Sequence, residues 1–109
     1  MLAKKYRLPW GVRFDNGRSI SSLLFTAKVR ENKLLLNRLR VIISKKVDKR
    51  AVVRNRIKRL IHTIIQELKD DIKQGFDFLF IARKDAIGKT REDFYLAIKQ
   101  ILEKERLLK

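Results

Sequence analysis

From Leu23 the apolar positions alternate: Leu23, Phe25, Ala27 and Val29 fall on one side, Leu24, Thr26, Lys28 and Arg30 on the other. That is the period of a strand with one face in a core. Glu31-Asn32-Lys33 predicts a turn, and the β-branched run Val41-Ile42-Ile43 predicts a second strand over 38–44. The period then changes. Val53, Ile57, Leu60, Ile61, Ile64, Ile65 and Leu68 recur at helical spacing, with Asn55, Lys58, Arg59 and His62 opposite them and Arg54 and Arg56 on the flanks of the stripe. A helix over 49–69 with Asp48 as N-cap is expected. After Gly75, the run 76–82 predicts a strand buried on both faces or nearly so, with Phe76, Phe78 and Phe80 as core. Thr90 with Asp93 predicts a capping box, and Phe94, Ala97, Ile98, Ile101 and Leu102 form the apolar face of a last helix. The stretch to Ser19 reads as irregular or briefly helical, with a turn at Asp15-Asn16-Gly17. Strand, strand, helix, strand, helix is the order of a two-layer α+β or α/β domain.

With 109 residues the chain is expected to be a single domain over 1–109, having one core and no room for a second. No Cys and one His exclude thiolate chemistry, disulfides and multi-His metal sites. No apolar run approaches the roughly 18 residues of a membrane span. The opening Met-Leu-Ala-Lys-Lys-Tyr-Arg lacks the apolar stretch of a signal peptide, so a cytoplasmic protein is expected.

The charge is +16 and unevenly placed: the first 59 residues carry 18 Lys and Arg against 3 acids, the last fifty 10 against 9. Like charge concentrated in this way repels itself unless a polyanion neutralises it. The density peaks over 44–59, where eight cations (Lys45, Lys46, Lys49, Arg50, Arg54, Arg56, Lys58 and Arg59) meet one acid, Asp48. A helix docked by its apolar stripe holds such cations in place for phosphates, and Asn55 adds a neutral donor and acceptor. A solvated basic helix without a partner and a membrane-surface helix remain open alternatives.

Trp10 and Phe14 lie i, i+4 among Arg7, Arg13 and Arg18. Flat rings beside cations suit unpaired bases, although the two rings could equally staple the N-terminal segment to the sheet. His62 has no Ser or Asp at a triad-like spacing and reads as surface, and Asp70-Asp71 as solvated carboxylates. No self-contained catalytic site is visible.

The run Ser44-Lys45-Lys46 followed by Ala51-Val52-Val53-Arg54-Asn55-Arg56-Ile57-Lys58-Arg59-Leu60-Ile61 resembles the signature of the bacterial ribonuclease P protein component. Arg7-Leu8, Phe14-Asp15-Asn16-Gly17-Arg18-Ser19, and Gly75-Phe76-Asp77 leading to Ala82-Arg83 follow that family's order and spacing. The resemblance implies a small α/β sandwich, like domain 2 of ribosomal protein S5, whose strand-helix-strand unit makes a left-handed crossover against the usual chirality. It implies an RNA-binding subunit that assists a catalytic RNA in removing the 5′ leader of precursor tRNA, the hydrolysis being done by the RNA with Mg²⁺, and a protein that is monomeric outside the holoenzyme. Lys45, Lys46, Arg54, Asn55, Arg56, Lys58 and Arg59 would face the RNA, joined by Arg50 of the same cationic run. Trp10 and Phe14 would line the cleft for the leader.

Three departures from the family pattern stand out. The chain is about one helical turn shorter between Arg7-Leu8 and Trp10. Asp48 replaces a common Gly, with one extra residue before Ala51. Lys28 occupies a cleft position that is often Tyr, exchanging a ring for a charge. A small basic ribosomal protein is the rival in another class, and a free-standing nuclease a third possibility.

Overall fold

The computed structural model describes residues 4–14 and 17–109. Its four strands are β1 (Arg18–Ser21), β2 (Phe25–Glu31), β3 (Arg38–Ile42) and β4 (Phe76–Ala82), and its two helices are α1 (Ala51–Glu67) and α2 (Arg91–Lys104). Three single-turn 3-10 segments, Lys4–Tyr6, Lys69–Asp71 and Lys84–Ala86, punctuate the loops. The sheet runs β1-β2-β4-β3. Only β3 and β4 are parallel, and α1 is the connection between them, since parallel neighbours need a crossover rather than a hairpin.

Both helices cover one face of this sheet, making the two-layer α/β sandwich expected. Phe25, Ala27 and Val29 of β2, Leu39 and Val41 of β3 and Phe78, Phe80 and Ala82 of β4 point into the core. Ile57, Ile61, Ile64 and Ile65 of α1 and Phe94, Ile98, Ile101 and Leu102 of α2 meet them. Phe25 ties the layers together, edge-on to Phe80 at 5.1 Å and stacked with Phe94 at 6.5 Å. The Thr90–Asp93 capping box is formed. No helix of the described residues is long and apolar enough to cross a membrane.

The structure corrects three expectations. Arg18 and Ser19, read as the end of an irregular or briefly helical stretch, instead open β1 on the sheet edge, where only Ile20 is buried. Leu23 precedes β2 and is 66% exposed, because the chain bends over Leu23 and Leu24, where the Ser22 hydroxyl accepts from the Leu24 and Phe25 N–H groups, and Leu24 takes the buried place. Helix α1 is capped at Arg50, not Asp48: the Asp48 carboxylate accepts from Arg50 itself and not from the first helical turn. Strand β4 is close to the expectation, buried on its core face and buried or half-buried on the other. Its opposite face carries half-buried Leu79 and Ile81 and the fully buried Asp77. The expected turn at Asp15-Asn16 lies outside the described residues.

Candidate nucleic-acid interface

Two cationic surfaces result, one on α1 and one on the open face of the sheet. On α1 the apolar stripe fixes the roll of the helix, so Asn55, Lys58 and Arg59 are turned outward and exposed, as are Lys45 and Lys46 in the preceding loop. Among the described residues these five side chains make no hydrogen bond or ion pair with the protein. Three other residues of the motif serve the fold as well. Arg54 Nη1 donates to the backbone carbonyls of Asp48 and Lys49 at 2.9 and 2.8 Å, closing the loop onto the helix. Arg56 Nη2 donates to the Lys89 carbonyl at 3.1 Å, tying α1 to the turn before α2. Arg50 is clasped by Asp48, with Nε and Nη2 on its two carboxylate oxygens. That side-chain contact, with the Arg50 N–H, holds the Asp48 carboxyl at about 2. The first turn of α1 carries no acid, so its unsatisfied N–H groups add to the positive field.

The open face of the sheet is read from its register. Ser19, Lys28, Leu79 and Arg40 lie in one row across the four strands, and Arg30, Asp77 and Arg38 in the next but one toward the other end. The N-terminal segment is anchored beside β3, where Arg7 bridges Leu39 and the buried Leu8 donates its N–H to the Leu39 carbonyl. It then turns over the sheet. The Trp10 ring lies over the Arg40 guanidinium at 4.1 Å while remaining 76% exposed, and Arg40 Nε donates to the Leu8 carbonyl at 2.8 Å. Phe14, half-buried, stands over Arg30 at 5.7 Å. Gly17 closes the segment, its N–H on the Phe14 carbonyl.

Beneath these rings is a network that sequence reading missed. Asp77 accepts from Arg30 Nε at 2.9 Å, Arg38 Nε and Nη2 at 2.8 Å each, and Asn32 Nδ2 at 2.9 Å. Burial alone would raise its pKa, but the donors of Arg38, Asn32 and Arg30 together hold it below the usual carboxylate value. The signal was one acid in an otherwise apolar strand, with arginines in both flanking strands.

His62 is half-buried, not a surface residue as read from the sequence. Burial lowers its pKa first, and the charges of Lys58 and Arg7 lower it further, so the polar side of α1 and the N-terminal segment share one positive field. Asp70 and Asp71 are exposed, and among the described residues no three carboxylate or imidazole groups come together as a metal site.

The family described as Ribonuclease P matches this chain over residues 10–106. The ribonuclease P protein component of Clostridium kluyveri is 41% identical over 98 residues, which is 88% of this chain and 87% of its own length. That of Clostridium botulinum strain Loch Maree is 40% identical over 92 residues, 84% of this chain and 82% of its own. Of solved structures, the Staphylococcus aureus RNase P protein shares the fold with a TM-score of 0.83 at 28% identity, covering 95% of this chain and 98% of that one. The chain therefore belongs to the ribonuclease P protein component family, the protein subunits of a tRNA-processing ribonuclease that partner the RNase P RNA.

Proposed function

We propose that this chain binds the catalytic RNA of ribonuclease P through the outward face of α1 and its leading loop, and the 5′ leader of precursor tRNA across the open face of the sheet. Lys45, Lys46, Arg50, Arg54, Asn55, Arg56, Lys58 and Arg59 form the first surface, and Trp10, Phe14 and Lys28 belong to the second. The observation that carries this is the docked helix: a buried stripe fixes its roll, and the cations on its other side are exposed. An array held in place loses less side-chain entropy on meeting phosphates than a flexible tail would. On the sheet, flat rings backed by guanidinium groups suit unpaired bases, which a leader offers and a duplex does not.

The protein screens and positions, and the RNA with bound Mg²⁺ hydrolyses the phosphodiester. In this reading the ions sit mainly on the RNA, as the family resemblance implies. The protein works as a single domain, monomeric outside the holoenzyme, in the cytoplasm.

Adding the purified chain to a bacterial RNase P RNA at low Mg²⁺ restores leader removal in this account. Stimulation that an unrelated basic protein reproduces would point instead to a ribosomal-protein role. Cleavage by the protein without RNA, after rigorous removal of contaminating nucleases, would make it a free-standing nuclease.

A further inference from the structure

Four cations rise from the open face of the sheet: Lys28, Arg30, Arg38 and Arg40. Their situations differ. Arg30 and Arg38 share the buried carboxylate of Asp77, so much of their charge is balanced within the protein. Arg40 is stacked under Trp10 and donates to the Leu8 carbonyl. Lys28 has no hydrogen bond, ion pair or ring contact among the described residues, although it is half-buried in the middle of β2. Its ammonium donors are therefore not used by the protein and are available to an anion.

Its location says which anion. Lys28 is two residues from Arg30 on the same side of β2, about 7 Å away along the strand. Leu79 lies between it and Arg40, so those two cations stand two strands apart, about 10 Å across the sheet. Lys28 therefore shares its row with Arg40, which lies under Trp10, and its side of β2 with Arg30, which lies under Phe14. A nucleic-acid strand with bases stacked on those rings would carry its backbone across the gap. A lysine there cannot stack on a base, but it can turn three donors toward a phosphate.

We infer that Lys28 grips one backbone phosphate of the leader, flanked by the bases that stack on Trp10 and Phe14, an inference that rests on the leader-binding role proposed above. The sheet then reads the leader as base, phosphate, base, with a single point charge setting the register.

The test uses the holoenzyme, reconstituted from RNase P RNA and the full chain, and precursor tRNAs with one methylphosphonate linkage moved stepwise through the leader. With the wild-type protein, affinity falls about tenfold at one linkage and little at its neighbours, the size expected for one charge-assisted contact. Lys28→Ala and Lys28→Met, the latter keeping the apolar stem, bind the unmodified substrate about tenfold more weakly and show no further loss at that linkage; Lys28→Arg restores the dip. A flat profile with the wild-type protein, or the same dip in both neutral variants, overturns the phosphate grip. Shortening the leader separates the two levels. If affinity depends on leader length while the profile is flat, only the grip at Lys28 is wrong; if affinity ignores leader length, leader binding itself fails and the grip with it.

Discussion

The outer face of α1 and the open face of the sheet are both basic, yet they hold their charge in opposite ways. On the helix, Asn55, Lys58 and Arg59 stand clear of the protein, and Asp48 is paired with Arg50. On the sheet, Arg30 and Arg38 are fixed by a buried acid and Arg40 by a ring. Exposed, partnerless cations give attraction that is strong, salt-sensitive and indifferent to base identity. Cations locked under aromatic rings have less charge to offer, but they stiffen a flat platform on which a base gains by stacking. One surface is suited to a large folded RNA and the other to a short flexible strand.

The largest effect should come from dismantling the platform. Asp77→Ala leaves Arg30 and Arg38 without their shared partner and should cost about 3 kcal/mol of unfolding free energy in a denaturant titration. Asp77 also gives a signed acid dependence. Its folded pKa lies below the ordinary value of 3.8, so its stabilisation is full above that value and is lost as the pH falls through the lower, folded one. Wild type should therefore lose more stability between pH 7 and pH 3 than Asp77→Asn; equal losses would remove Asp77 from the acid limb.

On the helix face, Lys58→Ala with Arg59→Ala should leave stability within about 1 kcal/mol while weakening RNA binding by about 2 kcal/mol. It should also lower the salt slope by about 2. This pair is a cleaner probe than Arg54 with Arg56, whose guanidinium groups also brace the backbone at Asp48, Lys49 and Lys89. An unchanged salt slope would take the helix face out of the RNA contact. Smaller still is Trp10→Ala, which should reduce affinity for long-leader substrates by about 1 kcal/mol, at the low end of one lost stack, and leave binding of the catalytic RNA alone. Equal losses on both would contradict the division between the two surfaces. The smallest expected change is at His62, whose depressed pKa, followed by NMR, should move upward when RNA neutralises the cations beside it.

Both helices and most of the core were legible in the sequence because their signals are periodic and local: the α1 stripe, the alternation of β2, and the Thr90–Asp93 box all lie within a few turns of chain. What escaped depends on partners distant in sequence. Residues 18–21 contain one apolar side chain, Ile20, and become a strand only because β2 is there to pair with. Asp48 has the chemistry of an N-cap, but Arg50, two residues on, captures its carboxylate. The Asp77 network joins two strands that flank β4 and a turn some forty residues earlier in the chain, so no window of sequence contains it. The basic motif was found as a composition signal, but its division into exposed cations and cations that brace the backbone required the loop geometry.

Gly17 holds a different kind of information. Its torsion is not of the left-handed kind, yet a Cβ built there would come within 2.9 Å of the Val29 carbonyl oxygen and 3.2 Å of the Phe14 ring. The seat of that ring is thus defined by an atom that is missing, and a single methyl group added there would press on the ring and on the Val29 carbonyl. The tilt of an aromatic ring can drift, or be engineered, from a glycine three residues along the chain.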